Sequence, residues 1–175
     1  MPQLTKFITD FLEYMEIEKN RSQKTVRNYD FYLRRFATWF KNLPPEKITI
    51  YAMRNFRLYL NRLEDADGQQ LKKNTQNYHL IALRSFLKYL AKRDIKSIAP
   101  EKIELMKMPD REISFLSPAE LKRLFGATGG NKLADLRDTA ILETLFSTGL
   151  RVSELTDLQK DNVDLERMEF GVTGK

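Results

Sequence analysis

Residues 146–155, FSTGLRVSEL, place a glycine between two stretches with helical features. The upstream stretch, 133–147, predicts a helix that Gly149 closes, because glycine readily adopts the left-handed conformation that ends helices. Arg151 follows at once and begins a short predicted helix over 152–158. The segment therefore predicts two helices joined by a tight turn, with an arginine at the start of the second.

The segments on either side of this turn have a mixed α and β character. Residues 117–120, SPAE, combine a cap serine, a proline at the first helical position and a glutamate at the third, which predicts a helix that ends near Gly126. Residues 163–170 partly alternate between apolar and polar side chains and predict one or two short strands. Upstream, residues 98–113 contain two prolines and little periodicity, which predicts an interdomain linker with room for a short helical turn.

Four apolar stripes at helical spacing predict four helices before that linker. The first begins at Leu4, the second is capped by Ser22 and runs to about Asn42, the third is capped by Thr49, and the fourth is capped near Asn74. The predicted buried positions of the four helices are Leu4, Phe7, Ile8, Phe11, Leu12, Met15, Val26, Tyr29, Leu33, Phe36, Ala37, Phe40, Ala52, Phe56, Tyr59, Leu60, Leu63, Tyr78, Ile81, Ala82, Leu83, Phe86, Tyr89 and Leu90.

Composition excludes several classes of function. The 175 residues contain no cysteine and one histidine, His79, which excludes disulfide frameworks and most thiolate or histidine metal sites. We expect His79 to lie on a helix surface or toward DNA and to bind no metal. No apolar run approaches the ~20 residues of a membrane span, and the N-terminus lacks the features of a secretion signal, so the cytoplasm is the expected compartment.

Positive charge is concentrated in the first part of the chain. Residues 1–111 contain 22 Lys and Arg against 13 Asp and Glu, whereas residues 112–175 contain 8 against 11. Basic and amide side chains lie off the apolar stripe of the second helix and crowd the start of the fourth, a pattern typical of helices that contact nucleic acid. The candidate DNA-binding residues are Lys24, Thr25, Arg27, Asn28, Arg34, Lys72, Lys73, Asn74, Thr75, Asn77, Arg84 and Lys88. An ordinary solvated helix face is the alternative interpretation.

The segment FSTGLRVSEL resembles the first catalytic box of the tyrosine recombinases, the family of phage integrases and Xer-type enzymes. Residues 25–29 and 77–90 resemble its helical core-binding domain, and residues 115–121 resemble the opening of its catalytic domain. The final glycine and Lys175 are similar to the glycine and lysine of the family's β-hairpin. The resemblance extends over essentially the whole chain.

This resemblance implies a mainly α fold in two parts. Residues 1–108 would form a helical core DNA-binding domain, the SAM-like integrase N-terminal bundle. Residues 109–113 would be the linker, and residues 114–175 an incomplete α+β catalytic domain. Because helical patterning begins at Leu4, we expect no arm-binding domain before the core-binding domain.

The same resemblance implies a function. The complete enzyme would be a site-specific recombinase that cleaves and rejoins double-stranded DNA through a 3′-phosphotyrosyl intermediate, without a cofactor. Arg151 would hold the scissile phosphate, Lys175 would act as general acid, and Glu154 would support Arg151. The family works as a homo- or hetero-tetramer on inverted-repeat core sites, in chromosome partition or in DNA integration, and not at a membrane.

The chain departs from the family's pattern in its second half. The family requires a later His-x-x-Arg box and a nucleophilic tyrosine, whereas here the one histidine is His79 and the last tyrosine is Tyr89. We therefore expect a chain truncated within the catalytic domain that binds DNA but does not cut it. Two alternatives stay open: a non-catalytic DNA-binding module or integrase remnant, and an unrelated helical protein whose basic faces bind acidic protein or RNA.

Overall fold

The computed structural model describes residues 3–64, 68–107 and 114–172. The chain separates into two compact units, 1–110 and 111–175. Within the described ranges the helices are α1 (Leu4–Ile17), α2 (Gln23–Trp39), α3 (Ile50–Arg62), α4 (Lys73–Ala91), α5 (Pro118–Ala127), α6 (Leu133–Thr148) and α7 (Val152–Thr156). The strands are β1 (Val163–Asp164) and β2 (Glu169–Phe170). None of the helices described has both the length and the apolar character of a membrane span.

The first unit is a bundle of four helices around α4, which packs against α1, α2 and α3. Its core contains two aromatic groups. Phe11 of α1 contacts Phe86 and Tyr89 of α4, and between α2 and α3 the rings of Phe36 and Phe56 meet edge to face at 4.9 Å. Two of the three predicted caps are confirmed: the hydroxyl of Ser22 accepts from the N–H of Thr25, and that of Thr49 accepts from the N–H of Ala52. The cap predicted near Asn74 is wrong, because Lys72 is the N-cap of α4 and its side chain makes no capping bond. The predicted mainly α fold is thereby confirmed for this unit.

Helix α2 is shorter than the sequence predicted. It ends at Trp39 and not near Asn42, because Lys41 and Asn42 both adopt a positive φ. The side-chain oxygen of Asn42 accepts a hydrogen bond of 2.9 Å from the backbone N–H of Thr5 in the first turn of α1. Asn42 thus accepts from one of the backbone N–H groups at the start of α1 that have no partner within that helix.

The buried face of α4 is wider than predicted, and two assignments on it were wrong. Tyr78, predicted to be buried, is 52% exposed, whereas His79, expected at the surface, is 1% exposed. Gln76 and Asn77 are buried as well. A helix enclosed by three others buries more than one stripe of side chains. The spacing of its apolar residues therefore does not show where its buried face ends. The helix also begins at Lys73, about two residues earlier than a cap near Asn74 predicts.

The segment after α4 packs against the first unit. Residues Pro100–Lys102 form a 3-10 turn that contacts α4, and Ile103 is 1% exposed. The side-chain amide of Asn77 makes two bonds with the backbone of Met106: its oxygen accepts from the N–H at 3.1 Å, and its nitrogen lies 3.4 Å from the carbonyl oxygen. The short helical turn is confirmed, but residues 98–107 belong to the bundle. The proposed linker, 109–113, lies outside the described residues.

The second unit is formed by local interactions. Ser117 and Glu120 make the predicted capping box at the start of α5. Strands β1 and β2 pair antiparallel, with Val163 opposite Phe170. None of the residues described in α5, α6 or α7 is buried, so this unit has little core of its own to stabilise it.

The two bonds between Asn77 and Met106 predict a stabilising role for that amide. Asn77→Ala should lower the free energy of unfolding by about 1–3 kcal/mol, because the backbone groups of Met106 lose their partners in a partly buried position. Urea unfolding of the 175-residue chain measures this change. Asn74→Ala, at an exposed position of the same helix, is the matched control and should change stability by no more than ~0.5 kcal/mol. Equal effects of the two substitutions would contradict the assignment.

Candidate functional sites

The turn between α6 and α7 places Arg151 at the protein surface. Gly149 caps α6 in the left-handed conformation, φ 68°, as predicted, and its N–H bonds the carbonyl of Leu145 at 3.0 Å. The backbone of Arg151 is extended and directly precedes α7, and its side chain is 81% exposed. Helix α7 ends at Thr156, two residues earlier than predicted. The guanidinium is therefore accessible to a ligand from solvent.

Glu154 holds both the backbone and the side chain of Arg151. One carboxylate oxygen accepts from the Arg151 backbone N–H at 2.9 Å, and the other accepts from the Arg151 Nη1 at 2.7 Å. The backbone bond first, and the side-chain bond second, lower the pKa of Glu154 below the usual range for a glutamate. Because a guanidinium has five N–H donors, this pair leaves most of them available for an anion.

The proposed partner of Arg151, Lys175, lies outside the described residues. The described part of the hairpin reaches Val172, and a positive φ at Met168 contributes to the turn between β1 and β2. The structure thus describes Arg151 and Glu154 together, and the role of Lys175 stays a prediction.

The basic and amide residues at the start of α2 are mostly exposed to solvent. Lys24, Arg27 and Asn28 are exposed. Thr25 is half-buried beside the cap, with its hydroxyl 2.9 Å from that of Ser22. Arg34 is engaged within the bundle: its guanidinium donates to Asp30 at 2.8 Å and to the Thr9 hydroxyl at 3.1 Å.

The predicted residues of α4 divide into exposed and structural ones. Lys72, Lys73, Asn74 and Lys88 are exposed, and Thr75 is half-buried. Arg84 is half-buried, and its Nε is buried without a hydrogen-bond partner among the described residues. Asn77 is bound to Met106, so we assign it a structural role.

A basic groove on α2, which the sequence did not single out, lies beside these residues. It has a volume of about 520 Å3 and is lined by Arg27, Asp30, Phe31, Arg34, Arg35, Thr38 and Tyr59. Arg35 lies off the apolar stripe of the second helix in the sequence, but it was not among the candidate DNA-binding residues. The signal that identifies it is spacing, because Arg34 and Arg35 follow Arg27 by seven and eight residues and share its face of the helix.

His79 is buried next to this groove. Its Nδ1 lies 2.8 Å from the carbonyl oxygen of Thr75, and its Nε2 lies 3.3 Å from Nη1 of Arg35. Burial is the main cause of a lowered pKa for His79; the bond to Thr75 opposes the shift, and the nearby charge of Arg35 adds to it. The lowered pKa favours the neutral form of the imidazole.

A helical bundle with basic faces, followed by a smaller α+β unit with a glycine–arginine–glutamate turn, is the organisation of the integrase class of proteins. The family model described as "Phage integrase, N-terminal SAM-like domain" matches residues 8–94, and the model "Phage integrase family" matches residues 114–175. The chain belongs to the phage integrase family, the tyrosine recombinases.

Relatives with curated names are similar over the whole chain. The tyrosine recombinase XerC of Bacillus subtilis (strain 168) is 33% identical over 176 residues, which cover 100% of this chain and 57% of the relative. XerC of Pelobacter propionicus is 34% identical over 180 residues, covering 100% and 58%. The crystal structure of XerA recombinase aligns with a TM-score of 0.47 and 27% identity over 99% of this chain and 56% of that one. The chain thus spans somewhat more than half the length of these relatives.

The hydrogen bonds between Glu154 and Arg151 make a prediction about pH. The folded state favours the carboxylate, so the bonds are fully formed at neutral pH and are lost only as the pH falls through the lowered pKa of Glu154. Carboxyl-carbon NMR of the 175-residue chain should show Glu154 titrating below the usual glutamate range. Arg151→Gln should recover only part of the shift, because the backbone N–H remains. Full recovery in that variant would show that the side-chain bond, not the backbone bond, controls the pKa.

Proposed function

We propose that these residues are the DNA-binding domain and the first part of the catalytic domain of a site-specific DNA recombinase. Residues 1–108 would be the DNA-binding domain, 109–113 the linker and 114–175 the catalytic part. The observation that carries the proposal is the turn at Gly149, which exposes the guanidinium of Arg151 while Glu154 fixes its backbone. The family membership supports the same interpretation.

Double-stranded DNA is the proposed ligand of the first unit. The exposed cations and amides at the starts of α2 and α4 are free to contact phosphates or base edges. The Nε of Arg84 is buried and lacks a partner among the described residues, so this half-buried side chain would reach DNA through its terminal N–H groups. Arg34, already paired with Asp30, would contribute through its remaining N–H groups. The proposed contacts are Lys24, Thr25, Arg27, Asn28, Arg34, Lys72, Lys73, Asn74, Thr75, Arg84 and Lys88.

The proposed reaction is transfer of a phosphodiester to a tyrosine. A tyrosine oxygen attacks phosphorus and forms a 3′-phosphotyrosyl bond, while the bond from phosphorus to the 5′ oxygen breaks. Arg151 would stabilise the charge on the non-bridging oxygens, for which a forked guanidinium is suited. Lys175 would give its proton to the departing 5′ oxygen, which leaves as a hydroxyl. Rejoining reverses these steps, so the bond energy is kept and no cofactor is consumed.

The nucleophile is the component for which these 175 residues offer no candidate. All seven tyrosines lie between Tyr14 and Tyr89, in the helical bundle. We propose that residues 1–175 by themselves bind DNA without cutting it, and that a nucleophile, a tetramer of recombinase subunits and paired inverted-repeat sites are needed for recombination.

DNA binding by the 175-residue chain should depend strongly on salt. Lys73→Gln and Arg84→Gln should each reduce the slope of log K against log salt concentration by about 0.9, if each residue contacts one phosphate of a duplex. Fluorescence anisotropy with a labelled duplex measures the slope. Lys47→Gln, at an exposed position outside α2 and α4, is the matched control and should leave it unchanged. Unchanged slopes in both test variants would remove these residues from the interface, and equal affinity for RNA would favour the helical protein of the rival interpretation.

Cleavage should depend on Arg151 in a polypeptide that continues these residues with a catalytic segment containing the tyrosine. Arg151→Ala should slow formation of the covalent protein–DNA product on a nicked substrate by about 100- to 1,000-fold. Arg151→Lys should recover this rate only partly, because lysine lacks the forked geometry. Binding of the same substrate is the control and should change little. Loss of binding together with cleavage would assign Arg151 a structural role.

A further inference from the structure

We infer that Arg35 binds a backbone phosphate of DNA and that His79 is the positioning residue that holds its guanidinium for that contact. The inference rests on the proposed function, since it requires that the first unit bind DNA. It adds Arg35 to the proposed DNA contacts. It also adds His79 as a buried residue that acts on the interface only through Arg35.

The hydrogen bonds of His79 fix its tautomer. A backbone carbonyl only accepts hydrogen bonds, so Nδ1, 2.8 Å from the Thr75 oxygen, must carry the proton and donate it. In a neutral ring Nε2 then carries a lone pair, and this nitrogen lies 3.3 Å from Nη1 of Arg35. The guanidinium therefore donates to the imidazole. A protonated ring would instead carry an N–H donor at Nε2 and a positive charge, and both would repel the guanidinium of Arg35.

Arg35 is held from two sides and has no counter-ion within residues 3–64, 68–107 and 114–172. Its guanidinium lies over the ring of Phe31, 4.6 Å from the centroid, and its Nη1 bonds His79. No carboxylate among the described residues forms an ion pair with it, whereas its neighbour Arg34 is paired with Asp30. A side chain ordered before binding loses less entropy when a ligand arrives. Arg35 is thus preorganised for an anion that the described protein does not supply.

The groove favours a phosphate of a polyanion over an isolated anion. Arg27 and Arg35, both on its lining, are eight residues apart, about 12 Å along α2. Two cations at that distance on an open face suit a ligand with repeated charges. The one carboxylate in the lining, Asp30, is already neutralised by Arg34.

The test uses the full 175-residue chain and a labelled duplex. Arg35→Gln should weaken binding by roughly tenfold, the effect expected for one charged hydrogen bond, and reduce the salt slope by about 0.9. Arg35→Lys should keep the slope, because the charge remains. Arg54→Gln, an exposed arginine of α3 outside the groove, is the matched control for a general loss of charge.

Two substitutions of His79 separate positioning from mere stability. His79→Asn keeps a donor near Nδ1 but has no group at Nε2, and it should weaken binding about as much as Arg35→Gln. His79→Gln has an acceptor near Nε2 and should bind within about threefold of wild type. Combined with Arg35→Gln, His79→Asn should cause no further loss, because its effect passes through Arg35. Additive losses in folded variants would overturn the positioning role.

NMR of the single imidazole decides the matter even if the His79 variants do not fold. In the wild-type chain Nδ1 should carry the proton at pH 7, and the Nε2 resonance should shift on addition of duplex but not in Arg35→Gln. A proton on Nε2 at pH 7 would overturn the inference. If Arg35→Gln binds duplex DNA with wild-type affinity and an unchanged salt slope, only this inference is overturned. If the wild-type chain does not bind duplex DNA at low salt, the proposed function is overturned as well.

Discussion

The enclosure of α4 by three other helices is the constraint on which the first unit depends. A helix surrounded in this way buries its polar residues along with its apolar ones, and each buried polar group then needs a partner. Asn77 finds one in the backbone of Met106, and His79 finds partners in Thr75 and Arg35. The polar bonds of α4 therefore connect the core to the segment that leaves the bundle and to the groove on α2.

This arrangement relates core packing to the proposed binding surface. The cations at the start of α4 extend from a helix whose other side is anchored by Leu80, Leu83 and Phe86, all fully buried. Such anchoring fixes where the charges lie before DNA arrives. A surface charge on a mobile segment would lose more conformational entropy on binding, so this anchoring would favour the proposed contact with DNA.

The sequence predicted the features that local chemistry controls. The caps at Ser22, Thr49 and Ser117, and the left-handed Gly149, follow from side-chain bonds within one turn, and the apolar stripes of α1 and α2 follow from periodicity. The contacts of α4 were not predictable in the same way. Arg35 and His79 are 44 residues apart in sequence, and a buried histidine satisfied by a distant arginine has no periodic signal. Tyr78 was misplaced for the same reason, because its neighbours across the bundle, not its spacing, decide its exposure.

The two arginines at the centre of the proposals are held in different ways, and this difference suits different tasks. Arg35 is fixed between the exposed ring of Phe31 and the imidazole of His79, which is buried in the bundle. Arg151 is held by Glu154 at its backbone N–H and at one guanidinium nitrogen, while its side chain is 81% exposed. In water such a charge contributes little, but its interaction with a phosphate strengthens when the ligand excludes solvent. The exposed guanidinium of Arg151 therefore suits the proposed contact with a reacting phosphate, whereas Arg35, ordered before binding, suits the proposed contact with the DNA backbone.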